Sequence, residues 1–146
     1  MGRRASREMA MKLLYQLEIQ KDDREAQKAH FFEENSLAPN DKAYINDVID
    51  GVFANKESIS NLIEMHSKGW KIGRISKIDL SIMRLSIYEI CYRNDIPYSV
   101  SVNEAVELAK RYSSEEAGSF INGILSKISN GDPNSDSNTE DQNNGG

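Results

Sequence analysis

Residues 78–91 read IDLSIMRLSIYEIC, and the placing of apolar side chains in this run decides the architecture. Ile78, Leu80, Ile82, Met83, Leu85, Ile87 and Ile90 cover more than one face of a helix with 3.6 residues per turn. A helix at a protein surface keeps its apolar positions to one stripe, so a helix apolar over this much of its circumference belongs in the middle of a bundle. Cys91, the single cysteine, sits at the end of the run, where a small buried thiol is expected rather than a nucleophile. It has no partner for an internal disulfide, which fits a reducing cytoplasm and many other compartments as well.

The flanking segments supply the stripes such a helix needs. Ala10, Leu13, Leu14 and Leu17 recur at i, i+3, i+4 and i+7, as do Ile45, Val48, Ile49 and Val52, and then Ile59, Leu62, Ile63 and His66. Residues 21–40 are polar and broken by Pro39, with a short helix expected around Ala26, Ala29, Phe31 and Phe32. Asn40 or Asp41 is the expected cap of the helix that follows. KGWKIGR (68–74) interrupts the pattern with two glycines and reads as a loop between two halves. Beyond Pro97, SVNE (101–104) has the form of a capping box, followed by Val102, Ala105, Val106 and Ala109 on one face. A second box, SSEE, predicts Ser113 as the cap of a last helix whose core stripe is Ala117, Phe120 or Ile121, Ile124, Leu125 and Ile128. No stretch alternates long enough to make a strand, so the expected class is all-α.

Charge is unevenly distributed in this chain of 146 residues and net charge -5. Residues 129–146 contain Asp132, Asp136, Glu140 and Asp141, with no basic and no hydrophobic side chain. Such a segment cannot bury enough surface to offset its ordering entropy, so residues 1–128 are expected to form one domain and 129–146 a disordered acidic tail. Removing the tail leaves a nearly neutral body with two cationic stretches. Residues 1–12 hold Arg3, Arg4, Arg7 and Lys12 against Glu8; residues 68–84 hold Lys68, Lys71, Arg74, Lys77 and Arg84 against Asp79. These are either solvated faces or surfaces for an anionic partner. No apolar run approaches the length of a bilayer span, and the basic start leads into an amphipathic helix instead of the uniform apolar core of a signal peptide, so a soluble, unprocessed chain is expected.

No catalytic pattern emerges from the sequence. His30 and His66 are far apart and neither stands in metal-ligand spacing with Cys91 or with paired carboxylates. There is no phosphate-binding G-x-x-x-x-G-K-[ST], no G-x-G-x-x-G after a strand and no G-x-S-x-G elbow. No cofactor, no metal and no enzymatic reaction are expected. On a helical wheel, Arg4, Arg7, Met11 and Tyr15 share a stripe just beside the core face of the first helix. Guanidinium groups beside an aromatic ring suit single-stranded nucleic acid, the former on phosphates and the latter on an unstacked base. The alternative is that Tyr15 widens the core face and the arginines keep the helix end soluble.

RRxxRExA (3–10), LY (14–15), DLSIMRLSIYE (79–89), DIPYSVSVNEAVELAKRY (95–112) and FINGILSKI (120–128) together resemble the NusB family of bacterial transcription antitermination factors. The resemblance spans about residues 3–128, in the family's order, and leaves out the acidic segment. It implies an all-helical fold of two small helical subdomains, a cytoplasmic setting, and binding of the boxA element of nascent ribosomal RNA transcripts together with ribosomal protein NusE. Other Nus factors and RNA polymerase would join through the antitermination complex. By the same resemblance Arg3, Arg4 and Arg7 face the RNA with Tyr15 nearby, and Lys12 adds a fourth cation to that patch. Phe120 is a further RNA candidate, although its spacing also suits the core. Asp79 is a candidate NusE contact, or simply a carboxylate that favours the start of its helix. Gly123 disfavours a helix relative to alanine, which suggests close approach by another segment or by RNA. The domain of this kind that is fused to ribosomal RNA cytosine methyltransferases is not expected in a chain of this length. A helical protein–protein adaptor or homodimer without RNA binding is the competing expectation, and the sequence does not choose between monomer and homodimer for the free protein.

Overall fold

The computed structural model describes residues 2–128; the segment expected to be a disordered tail, 129–146, lies outside the described residues. Seven α-helices are present among the described residues, with no strand: α1 (Arg3–Ile19), α2 (Arg24–Glu34), α3 (Pro39–Ala54), α4 (Lys56–His66), α5 (Lys77–Tyr92), α6 (Tyr98–Tyr112) and α7 (Glu115–Leu125). A single 3-10 turn, Ile72–Arg74, lies in the glycine-containing segment between α4 and α5.

Helix α5 occupies the centre. Every residue from Leu80 to Cys91 is buried, and the helix packs against α1, α3, α4, α6 and α7. Two groups of helices therefore meet on it: α1, α3 and α4 from before the turn, α6 and α7 from after it. The polar side chains within this apolar helix are supplied with partners, as burial demands. Ser81 and Ser86 donate back to the carbonyls of Lys77 and Ile82 at 2.8 Å each. The thiol of Cys91 is buried.

The stripes read from sequence face this helix. Ala10, Leu13, Leu14 and Leu17 are buried, as are Ile45, Val48, Ile49, Val52, Ile59, Leu62 and Ile63, and on α7 it is Ile121 that enters the core while Phe120 stays half-buried. One close approach involves a glycine on α3. A Cβ placed on Gly51 would lie 2.1 Å from Cε1 of Tyr88, so only glycine lets α3 accept that ring. The Tyr88 hydroxyl then donates to Asp47, 3.0 Å from each carboxylate oxygen.

Helix starts depart from the sequence expectations in three places, each for a local reason. Helix α3 begins at Pro39 itself, whose fixed φ suits the first helical position, so Ala38 precedes it and Asp41 is spent accepting from the buried Ser6 hydroxyl at 2.8 Å. Helix α6 likewise begins right after Pro97, which places Ser101 inside the helix, where its hydroxyl points into the core to Glu89 at 2.7 Å instead of capping. Helix α7 is capped by Ser114 through the N–H of Ala117 at 3.0 Å, while Ser113 closes α6.

Candidate nucleic-acid interface

The first turn of α1 carries Arg3 and Arg4, cations at the end of a helix whose dipole is already positive, so the arrangement needs carboxylates from elsewhere. Helix α6 supplies one. Glu104 accepts from Nε and Nη2 of Arg4 at 2.9 and 2.7 Å, a two-pronged pair with the guanidinium largely in solvent. The hydrogen bond from Arg4, with its charge and that of Arg7 behind it, holds the Glu104 carboxyl below the usual range. Arg3 lies over the ring of Tyr44, 4.3 Å from its centre. One turn on, Glu8 accepts from Arg111 at 2.6 Å and from the Tyr112 hydroxyl, and Lys12 sits 3.4 Å from the same carboxylate and 5.3 Å from the centre of the Tyr112 ring.

Arg7 departs from the expectation that it lines an exposed stripe with Tyr15. Its side chain is 3% exposed and donates to both oxygens of Glu89, at 2.9 and 3.2 Å. Glu89 is fully buried on α5 and also accepts from the hydroxyls of Tyr44 and Ser101. One carboxylate thus ties α1, α3, α5 and α6 together. Burial opposes the charge of Arg7, but Glu89 outweighs it and the guanidinium is held more firmly protonated than usual. Met11, on the same stripe, is 1% exposed. The physical reason is that the wheel places these positions beside the core face without saying how far the neighbouring helix reaches, and α5 and α6 reach over them. Arg7 in this arrangement has no surface to offer a phosphate. Arg3, Arg4 and Lys12 are exposed, and Tyr15 is half-buried.

Toward the other end of α1, Glu18 draws in Arg84 at 3.2 Å, Lys56 at 3.5 Å, Lys77 at 3.7 Å and Lys21 at 3.9 Å. Burial raises the cost of its charge, but Arg84 first and the three lysines with it keep the carboxyl below its usual range. Four cations around one acid leave this side of α1 positive.

Phe120 and Asp79 come together. They line one cleft of about 340 Å³ with Trp70, Arg74, Ser114 and Glu116. Asp79 donates its backbone N–H to the capping Ser76 hydroxyl at 3.1 Å, while its carboxylate Oδ1 is buried without a hydrogen bond. The Trp70 and Phe120 rings meet edge to face, centres 6.2 Å apart and planes at 68°. Trp70 is 52% exposed. The chain itself links this cleft to the N-terminal cations, since Ser114 follows two residues after the Tyr112 ring on which Lys12 rests. Gly123 has open space around it: a Cβ there would meet nothing within 4 Å, so no segment among the described residues approaches it closely.

Sequence reasoning missed Glu89, Glu104 and Trp70. The signal for the first was available, because a lone carboxylate inside IYEIC must find a buried cation. Among the described residues no group of three or more His, Cys, Asp and Glu is placed to hold a metal ion, and no helix is long and apolar enough to cross a membrane.

Fold and surface define an all-helical protein with exposed cations beside an exposed tryptophan and half-buried aromatic rings, the kind of face that suits nucleic acid. The chain belongs to the NusB family, whose sequence pattern matches residues 4–130. Transcription antitermination protein NusB of Acetivibrio thermocellus is 65% identical over 128 residues, covering 88% of each chain. The protein of the same name from Ruminiclostridium cellulolyticum is 61% identical over 132 residues, 90% of this chain and 91% of its own. Among solved structures, T. maritima NusB is 34% identical with a TM-score of 0.80, over 86% of this chain and 89% of the other. A chain in a crystal structure of antitermination factors NusB and NusE in complex with double-stranded RNA is 26% identical with a TM-score of 0.77, over 85% and 92%.

Proposed function

We propose that this protein is a transcription antitermination factor that binds the boxA element of nascent ribosomal RNA together with ribosomal protein NusE, in the cytoplasm and without catalysing a reaction. Other Nus factors and RNA polymerase join it through the antitermination complex. The observation that carries this reading is the joining of an exposed basic helix start to an aromatic cleft in a chain of the NusB family. Arg3, Arg4 and Lys12 supply phosphate contacts, and Tyr15 and Phe120 supply faces for unstacked bases. Arg7 serves by holding α1 in place through Glu89. Asp79, which lines the cleft with Arg74 and Phe120, supplies an acceptor for a donor from NusE.

The test is titration of fluorescently labelled boxA RNA with the full-length protein, with and without NusE. Binding should strengthen when NusE is present, because NusE extends a basic surface too small to hold RNA tightly alone. Tyr15→Ala should lose about 1–3 kcal/mol of RNA binding while leaving the melting temperature nearly unchanged. No binding in either condition would favour the competing reading of a protein–protein adaptor or homodimer, and sedimentation of the free protein then decides between those two.

A further inference from the structure

A second cluster of cations lies at the far end of α1 from Arg3 and Arg4, where α4 and α5 begin. We propose that it is a phosphate-binding site, in which Lys21, Lys56, Lys77 and Arg84, gathered round Glu18, hold phosphate carried by a free nucleotide or by an RNA backbone. It shares no residue with the arginine-rich helix start or with the Asp79–Phe120 cleft.

Three observations converge on it. First, the cations outnumber the charge they surround. Only Arg84 reaches Glu18 at hydrogen-bond length, Nη1 to Oε2 at 3.2 Å, and its Nε is buried without any hydrogen bond. Lys56, Lys77 and Lys21 stand off at 3.5, 3.7 and 3.9 Å, and none of the three ammonium groups makes a hydrogen bond among the described residues. Their donors are therefore unspent, since a charge-assisted hydrogen bond closes to about 2.7–2.9 Å. Asp22 and Arg24, nearby on the rim, cancel each other and leave the excess as it is.

Second, two of the lysines stand where a helix disfavours them. Lys56 is the first residue of α4 and Lys77 the first of α5, each at the positive end of a helix dipole. Helix α4 also has no side-chain cap, because Asn55 turns back to donate its Nδ2 to the Gly51 carbonyl at 2.8 Å. Its first N–H groups are left for an acceptor from outside the helix. An anion bound there answers the lysines, the dipole and the free N–H groups together.

Third, the cluster has a cavity. About 220 Å³ opens beside Glu18, Lys21 and Lys56, walled by Leu17 and the Phe53 ring, over which Arg24 lies 4.3 Å from the centre. A carboxylate from a protein partner would bring one charge, as Glu18 already does. A terminal phosphate brings nearly two with three acceptor oxygens, and an RNA backbone brings one at every nucleotide.

Calorimetric titration of the full-length protein with inorganic pyrophosphate at fixed ionic strength tests the site. Binding should saturate at one site per chain. The double variant Lys56→Gln, Lys77→Gln should weaken it by at least about ten-fold, the size expected for lost charge-assisted hydrogen bonds. The ligand-free variant should melt no lower than the parent, because two cations leave helix N-termini. Absence of pyrophosphate binding, or equal affinity in the variant, overturns the proposal. The phosphate source is read from boxA RNA with and without flanking nucleotides. A gain in affinity from the flanks that the variant loses supports the site with RNA as its ligand; pyrophosphate binding that the variant loses while both RNAs bind it as they bind the parent supports the site with a free nucleotide. Failure of boxA RNA to bind at all would count against the function proposed above and leave the pyrophosphate result to decide the site. Loss of NusE affinity in the variant with no pyrophosphate binding in the parent would make the cluster a protein contact and overturn the proposal.

Discussion

At the start of α1, Arg4 lies on Glu104, Arg7 on Glu89 and Lys12 near Glu8, whereas in the turn after α4 Lys68, Lys71 and Arg74 have no carboxylate partner among the described residues. Both stretches are dense in cations, but the helix start has committed much of its charge to internal pairs. Charges drawn from three helices meet there, and Glu89 accepts from Tyr44 and Ser101 as well as from Arg7. In the turn, Glu64 of α4 accepts from the Ile72 N–H and not from the three cationic side chains. A count of lysines and arginines therefore overstates one surface and understates the other, because availability to a phosphate depends on what the fold has already placed opposite each cation.

The strongest way to break this contrast is Arg7→Ala. Glu89 would stay fully buried with its counter-charge removed, and losing one partner of a buried pair costs about 3–5 kcal/mol, to be read by urea denaturation. If the loss is below about 1 kcal/mol, the helix start is a surface patch like the turn and the contrast disappears.

A finer test compares salt dependence. Replacing Lys68, Lys71 and Arg74 together by Gln should flatten the slope of log affinity against log salt by about 2, at roughly 0.7 per phosphate contact. Arg4→Gln should change the slope by less than one such step, since its guanidinium is shared with Glu104. Equal changes per cation in both stretches would mean that the internal pairs open when RNA arrives.

The smallest expected effect concerns acid. Arg93 beside Asp95 holds that carboxyl at about 2, chiefly through its hydrogen bond, against an ordinary value of 3.8. The unfolded chain thus takes up the proton first as pH falls, so the stabilisation is complete above the ordinary carboxylate range and is lost on approach to pH 2. Asp95 is exposed and solvent screens its charge, so the pair is worth below about 1 kcal/mol. Asp95→Asn should accordingly lower the melting temperature slightly at pH 5 and not at all near pH 2; an unchanged melting temperature at pH 5 would mean that the pair contributes nothing.

Much of the architecture is legible in the residues alone. The all-round apolarity of 78–91 places α5 at the centre, and the i, i+3, i+4 stripes identify the faces that meet it, because periodicity reports burial directly. Helix starts are less legible. Ser101 has the spacing of a cap and is instead a core donor, since Pro97 starts the helix three residues before SVNE begins. At the site, the exposure of Arg4 agrees with the wheel, and the burial of Arg7 and Met11 does not. A helical wheel assigns an angle, not the reach of the neighbouring helices, so a position beside the core stripe can fall on either side of the solvent boundary. Trp70 escaped notice for a related reason: whether an aromatic in a loop is buried depends on contacts distant in sequence.

The central place of α5 also bears on how the chain comes to be folded during synthesis. Helices α1, α3 and α4 are made first, but the surface they enclose is completed only by a helix that follows them. Glu89 lies 82 positions after Arg7, and at ribosomal rates of about 5–20 residues per second that is a wait of roughly 4–16 s. During that interval the nascent chain carries a solvated guanidinium where the finished protein has a buried one, and the apolar stripes of three helices are without the helix they will pack on. The emergence of α5 is thus the event that commits this molecule to its native state, and the order of translation makes that commitment late.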